Sequence, residues 1–241
     1  MLLPNMTFSE VRDEFKKDWG SVVECELRFG KAFGGIVKKS SFRQKYPMTR
    51  LYSAVTKERK NKLYVLAKAL KRSDWNNPLM VLYMIWDTPR GKYAVMPVGI
   101  DNGTFTELYV ISPHCFGRYR ERYLKDEDLS NEELINIFMR RNFRWFSIPV
   151  SEDLCKYSDE LKDTPADHEK RVQISFQGVG FSQQMDNGIL LMKTFVAYDM
   201  LYPQQAEIII PYKESMFDGK EDCEFFVEKT DNGGQVTFFN R

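Results

Sequence analysis

The sequence predicts an α+β protein in which a mostly antiparallel sheet, formed by a meander and hairpins, has helices packed to one side. Three observations favour this class. The apolar run Leu79–Trp86 is followed by two more strand-like runs. The triplet Asp-Asn-Gly, which suits tight hairpin turns, occurs three times between such runs. Helix-start signals occur at Thr7, Ser112 and Ser130.

The N-terminal third is expected to contain two helices, one strand and a basic loop. Thr7 caps a helix that continues to about residue 19, and the alternation of apolar residues in 21–29 predicts a strand. Residues 31–47 are glycine-containing and basic, which favours a loop. Lys57–Arg72 carries leucines at helical spacing and predicts a basic amphipathic helix.

The rest of the chain is expected to be a sheet interrupted by helices. The predicted strands are a meander over 79–112, a hairpin over 171–201, a short strand at 206–212 and a closing hairpin over 223–239. The predicted helices are 113–124 and 131–146. We expect a basic helix and loop region over 1–75 and a sheet domain over 76–241, or one continuous domain.

Several classes of protein are disfavoured by composition. The longest apolar run has eight residues, which is far too short to cross a bilayer, and the N-terminus lacks the pattern of a signal peptide. The four cysteines form no CxxC pair, and the two histidines are 54 positions apart. We therefore expect a cytoplasmic protein with no membrane contact, no disulfide framework, no metal site and no cofactor.

The charge distribution is strongly asymmetric although the chain carries a net charge of only +1. Residues 1–120 hold 21 Lys and Arg against 11 acids, a net +10, whereas residues 121–241 hold 14 against 23, a net −9. Residues 28–72 hold 14 basic side chains and one acid. This pattern indicates a polyanionic partner, but the two halves attracting each other, or lysines that only solvate a surface, remain open alternatives.

Within the basic region, Lys38, Lys39, Arg43 and Lys45 are the candidate nucleic-acid-binding residues. Aromatic residues alternate with the cations of this region, namely Phe29, Phe33, Phe42, Tyr46, Tyr52 and Tyr64. Stacking on rings combined with phosphate contacts suits single-stranded nucleic acid. The alternative is that the rings form a core while the lysines face water.

The stretch 112–122, SPHCFGRYRER, is the candidate catalytic segment. With Ser112 as N-cap, a helix places His114, Arg118 and Arg122 along one face. A neutral histidine is a candidate general base, and the two guanidiniums are candidates for binding a phosphate. A solvated polar face, in which Glu121 neutralises the arginines, is the alternative.

His114, Arg118, Tyr119 and Arg122 give the pattern of a histidine followed by Arg-aromatic-x-x-Arg. This segment resembles a helix in small toxins of the RelE-, barnase- and colicin-like ribonuclease group, and the whole chain resembles bacterial proteins of unassigned function. The resemblance covers about a dozen residues. It implies cleavage of RNA without a metal, beside an antiparallel sheet, by basic residues with a histidine or tyrosine.

These observations predict a protein that binds or acts on nucleic acid, either as a metal-independent ribonuclease or as a non-catalytic binding module. A protein-interaction or structural domain is the other hypothesis. The expected partners are RNA, single-stranded DNA or an acidic protein. The sequence leaves the oligomeric state and the presence of catalysis open.

Overall fold

The computed structural model describes residues 1–125, 128–150, 154, 161 and 168–217, and the backbone of 225–229 and 236–240. The described helices are α1 (Phe8–Lys39), α2 (Pro113–Tyr119), α3 (Asn131–Arg141) and α4 (Pro203–Met216). The described strands are β1 (Met48–Val55), β2 (Lys62–Ala69), β3 (Leu79–Thr88), β4 (Gly91–Asp101), β5 (Thr104–Ile111), β6 (Phe146–Pro149), β7 (Lys170–Ile174), β8 (Gly178–Met185), β9 (Ile189–Ala197), β10 (Phe225–Lys229) and β11 (Val236–Asn240). The predicted α+β class, with mostly antiparallel strands and helices packed against them, is confirmed.

The chain divides into two compact units. The first comprises Met1–Leu2, Glu10–Met84 and Asp222–Arg241, and the second comprises Leu3–Ser9 and Ile85–Glu221. The domain boundary predicted between residues 75 and 76 stays a prediction.

In the first unit, α1 packs on an antiparallel set of strands in the order β10, β11, β1, β2, β3. The ring of Phe29 on α1 stacks on Tyr52 of β1 at a centroid distance of 4.7 Å. The predicted C-terminal hairpin is confirmed by the antiparallel pairing of β10 with β11. Its Asp-Asn-Gly at 231–233 lies outside the described residues.

Two carboxylates of α1 hold the turn between β1 and β2 against the helix. Asp18 is fully buried and accepts hydrogen bonds from Thr56 Oγ1 at 2.6 Å and Asn61 Nδ2 at 2.7 Å. Glu14 is also buried and accepts two hydrogen bonds from the guanidinium of Arg59, at 2.6 and 2.7 Å. Each buried charge therefore has partners that offset the cost of removing it from water.

Three predictions for the first unit are wrong. The predicted strand 21–29 and most of the predicted loop 31–47 lie inside α1, whose buried residues recur at helical spacing as Val11, Phe15, Val22, Cys25, Phe33 and Val37. The predicted helix Lys57–Arg72 is instead β2 with its flanking turns. Seven consecutive residues of β2 are buried, Lys68 among them, so the strand shows no alternation of buried and exposed residues. Without that alternation, the apolar residues of the strand cannot be distinguished from those of a helix by their spacing.

In the second unit, the strand order is β4, β5, β9, β8, β7, β6. Among the described strands of this unit, β5 and β9 pair in parallel and the other neighbours pair antiparallel. The predicted meander over 79–112 is confirmed as β3, β4 and β5. The predicted turns are confirmed too, with Asn102 at φ 49° and Asn187 at φ 61°, the left-handed conformation that favours Asn and Gly. Helices α2 and α3 pack through edge-on ring contacts, such as Tyr119 with Phe195 of β9 at 5.3 Å.

Helix predictions in the second unit are correct at their starts and less accurate at their ends. Ser112 caps α2 by accepting a hydrogen bond from Cys115 N at 3.1 Å, and Ser130 forms the predicted capping box with Glu133. Helix α3 ends at Arg141 rather than at 146. The predicted strand 206–212 is wrong because those residues belong to α4, which buries mainly one face through Ile209.

Candidate nucleic-acid interface

The C-terminal end of α1 and the 3₁₀ turn Arg72–Asn76 form a surface rich in cations and aromatic rings. We call it the aromatic–basic surface and define it by seven residues, Lys38, Lys39, Phe42, Arg43, Lys45, Arg72 and Trp75. It includes all four residues that the sequence predicts for nucleic-acid binding, and each of those four is exposed.

Rings and cations alternate across this surface. The guanidinium carbon of Arg72 lies 4.8 Å from the centroid of the Phe42 ring, and Lys38 Nζ lies 4.5 Å from that of Trp75. Arg72 also donates a hydrogen bond to the Lys38 carbonyl at 3.0 Å, which joins the two ring–cation pairs. The Phe42 ring is 95% exposed and Trp75 is 42% exposed. Both rings therefore offer apolar area to a ligand while their cations remain close by.

The segment that carries Phe42 is held by a hydrogen-bonded turn rather than by apolar packing. Ser40 ends α1, since its amide and hydroxyl both donate to the Val37 carbonyl, at 3.1 and 2.7 Å. The Ser40 hydroxyl also lies 2.8 Å from the Tyr46 hydroxyl, which closes the segment. Phe42 therefore stands at the tip of a compact turn, where it has no core to enter.

Trp75 is positioned by a close approach between α1 and the 3₁₀ turn. A Cβ atom at Gly34 would lie 2.1 Å from the Trp75 carbonyl oxygen, so only glycine permits this contact. On the other side of the turn, the Asp74 carboxylate accepts hydrogen bonds from Leu70 N at 2.8 Å and Lys71 N at 3.1 Å. These contacts fix the backbone on which Trp75 is displayed.

The cations of the surface are largely free to meet a ligand. Within the described part of the chain, no ion pair engages Lys38, Lys39, Arg43 or Lys45. Lys38 and Lys39 lie in the last turn of α1, where cations interact favourably with the helix dipole. Arg43 and Lys45 follow the helix, so the helix dipole does not stabilise their positive charges.

A cavity of about 740 Å³ borders the aromatic–basic surface and shares Lys38 and Trp75 with it. One wall is the α1 face that contains Glu26, Lys31 and three glycines, and the other is the segment from Trp75 to Met80. Its size falls in the range of small-molecule sites.

The six interleaved aromatic residues divide into three groups by exposure. Phe33, Tyr52 and Tyr64 are at most 5% exposed and belong to the core, and Phe29 and Tyr46 are half-buried. Phe42 alone of the six is exposed. The alternative in which the rings form a core therefore holds for three of them, and Phe42 is the one available for stacking.

The predicted catalytic residues lie along α2 and the π-helical turn Arg120–Leu124 that continues it. His114 is exposed. Arg118 donates to the Glu121 carboxylate at 3.0 Å, and Arg122 donates to the Phe195 carbonyl at 2.9 Å. Both arginines thus already have acceptors within the protein, and the catalytic role of the three residues stays a prediction.

Cys115 and His168 are two further residues with side chains that can react or carry a proton. The Cys115 thiol, in the first turn of α2, is fully buried, and burial raises its pKa. The Nδ1 atom of His168 lies 2.6 Å from Gln183 Nε2 on strand β8.

Sequence reasoning did not identify Trp75 or the cavity. Trp75 lies three positions after the basic pair Lys71 and Arg72, which is a signal that the segment extends the basic region. The cavity has no signal of its own, because it depends on the glycines of α1 meeting a loop that comes much later in the chain.

Across the ranges that the structure describes, no helix is long and apolar enough to span a membrane. The same residues contain no group of three or more His, Cys, Asp or Glu side chains suited to a metal ion. Comparison with protein-family models, with curated proteins and with solved structures yields no match to this chain.

Proposed function

We propose that the protein binds single-stranded nucleic acid, either RNA or DNA, through the aromatic–basic surface. The observation that carries the proposal is Phe42, which is 95% exposed beneath the guanidinium of Arg72 and lies in a stretch of four cations. Rings stack on unpaired bases and cations contact the phosphates between them.

The exposed rings favour single strands over duplexes. In a duplex the faces of the bases are covered by their neighbours, so Phe42 and Trp75 would find nothing to stack on. Phosphate contacts alone would bind either form, and would do so with a strong dependence on salt. A preference for single strands is therefore the property that separates stacking from simple charge attraction.

An acidic protein is the competing partner, and it predicts a different response. Such a partner would use the cations but would gain little from a solvated phenylalanine beside an arginine. Replacement of the rings would then change affinity much less than replacement of the cations.

The first experiment measures binding of a fluorescent single-stranded oligonucleotide by anisotropy, over about 50 to 200 mM salt. Replacing Lys38, Lys39, Arg43 and Lys45 together by alanine should weaken binding and flatten its salt dependence, by about 0.7 in slope for each phosphate that the variant no longer neutralises. The matched control replaces four exposed cations elsewhere, Lys16, Lys57, Lys62 and Arg90, and should leave the slope nearly unchanged. No binding by the native chain at about 50 mM salt, where surface electrostatics are strong, would contradict the proposal.

The second experiment replaces Phe42 and Trp75 by alanine. Stacking contributes about 1–3 kcal/mol per base, so the double variant should bind at least about fivefold more weakly with an unchanged salt slope. The matched control replaces two other exposed rings, Tyr123 and Tyr212, which are 39% and 43% exposed. An acidic protein partner would be indicated if the Phe42 and Trp75 variant bound the oligonucleotide as tightly as the native chain does and if polyglutamate bound as tightly as the oligonucleotide.

The ribonuclease-like activity stays a prediction, and the same samples test it. Metal-free cleavage of the bound RNA that is abolished by His114→Ala would add a catalytic role to the binding role. Because His114 is exposed, that variant should fold with nearly native stability.

A further inference from the structure

The cavity beside the aromatic–basic surface has a mixed lining that suits a nucleobase. Leu27, Pro78 and Met80 supply apolar walls, and Trp75 supplies a ring at the rim. Its polar lining consists of Glu26, Lys31, Lys38, Asn76 and Asn77. A planar ligand with several donors and acceptors on its edge matches this combination better than a purely apolar ligand does.

Glu26 is the distinctive group in this lining. It is half-buried, and within the described residues no hydrogen bond or ion pair engages its carboxylate. Burial raises the pKa of this carboxyl. A carboxylate that is partly removed from water without a partner costs free energy, and a ligand with two adjacent donors would offset that cost.

Glycines keep the cavity open along α1. A Cβ at Gly30 would meet Met80 Cε at 3.9 Å, and a Cβ at Gly35 would meet nothing within 4 Å. Gly35 lines the cavity, so a Cβ can be added at this position of the wall without overlapping a neighbouring atom.

We propose that this cavity takes up one guanine base from the bound single strand, with Glu26 accepting hydrogen bonds from the base. This inference rests on the proposed function, because the strand that carries the base is held by the aromatic–basic surface.

The hydrogen-bonding edges of the bases favour guanine. Its N1–H and exocyclic amine are adjacent donors that a carboxylate can accept together, while its O6 and N7 accept from a lysine such as Lys31. Adenine presents an acceptor at N1, which a carboxylate repels. Uracil has one ring N–H flanked by two carbonyl oxygens, and cytosine has one amine beside an acceptor.

The charges also set the direction in which the strand enters. The Glu26 carboxylate repels phosphate, so the backbone stays near Lys38 and Arg72 at the rim while the base points inward. Trp75 and Lys38 belong to both the surface and the cavity, which makes the two sites continuous.

The test uses oligouridine strands of equal length that carry one central guanine, adenine or inosine, with binding to the whole chain measured at one salt concentration. The guanine strand should bind at least about fivefold more tightly than the adenine strand. Inosine keeps N1–H but lacks the exocyclic amine, so its strand should bind with intermediate affinity. Glu26→Gln should remove the preference for guanine and leave the salt slope of the all-uridine strand unchanged.

A second variant, Gly35→Leu, narrows the cavity at its α1 wall and does not depend on the chemistry of Glu26. It should abolish the guanine preference while the all-uridine strand binds as before. The matched control is Gly20→Leu, another exposed α1 position with no atom within 4 Å of an added Cβ and outside the cavity lining. Both changes favour the helix equally, so a difference between them reports on the cavity.

The outcomes separate this inference from the proposed function. If all strands bind equally and Glu26→Gln and Gly35→Leu change nothing, the guanine site is wrong while single-strand binding stands. If no strand binds, both proposals are wrong. A guanine preference that survives both variants would place base selection outside the cavity and overturn the inference.

Discussion

Glu14 is a residue whose ionisation stabilises the first unit. Its carboxylate receives two hydrogen bonds from Arg59 and an ion pair from the amino group of Met1, and its side chain is 2% exposed. The hydrogen bonds from Arg59, together with the Met1 amino group, lower the pKa of Glu14 to about 2 from an ordinary value of 4.5. The folded state therefore holds this proton far less tightly than the unfolded chain does.

The lowered pKa predicts a specific loss of stability in acid. Because the folded pKa lies below the unfolded one, the stabilisation is fully present above about pH 5 and is lost as the pH falls toward 2. Glu14→Gln should lower the free energy of unfolding at pH 7 by about 2–3 kcal/mol and flatten its decline below pH 5, as measured by urea unfolding. The control Glu24→Gln removes an exposed pair with Lys57 and should change it by less than about 0.5 kcal/mol. Parallel pH curves for the two variants would contradict the role of Glu14.

At the scale of secondary-structure elements, α1 and β2 show why local patterns mispredict this region. The apolar alternation at Val23, Cys25, Leu27 and Phe29 imitates a strand, yet Leu27 is 60% exposed while Cys25 is buried, as a helix requires. The adjacent glycines Gly34 and Gly35 suggest a loop in the sequence but lie inside the helix. Gly34 is needed there because the Trp75 carbonyl approaches it closely. The basic surface could be predicted from composition. The position of Trp75 could not, because it depends on a contact between two elements.

Gly34 provides the test at this scale. Alanine is the better helix former, so Gly34→Ala would stabilise an isolated α1 by about 1 kcal/mol. In the folded protein the Cβ added by Gly34→Ala would overlap the Trp75 carbonyl, so we expect the free energy of unfolding to fall by about 1–3 kcal/mol, as measured by thermal unfolding. The Gly34→Ala variant should also bind single strands more weakly, because Trp75 is displaced. The control Gly20→Ala has open space and should stabilise the protein. Equal stabilisation by both changes would show that the contact is not tight in solution.

At the scale of the whole molecule, the fold class was predictable because it depends on many weak signals that agree. The three strands of the meander, the turns at Asn102 and Asn187, and the caps at Ser112 and Ser130 are each set by a few neighbouring residues. The division into two units and the parallel pairing of β5 with β9 depend on contacts between distant segments, which local patterns do not encode.

The opposite charges of the two halves predict how the whole chain attracts a polyanion. The prediction uses four acids of the C-terminal region. Glu214 is exposed, and Asp218, Glu221 and Asp222 lie outside the described residues. Changing all four to the corresponding amides should tighten single-strand binding roughly threefold at about 0.01 M salt and have little effect at about 0.15 M, where the Debye length is about 8 Å. The control changes four exposed acids of the basic half, Asp13, Glu24, Asp87 and Asp101, and should give a similar salt-sensitive gain. A different result would be a gain in affinity of about tenfold or more that persists at about 0.15 M salt and is given by the C-terminal set alone. Because only contacts at short range escape screening by salt, that result would show that this acidic segment occupies the aromatic–basic surface itself.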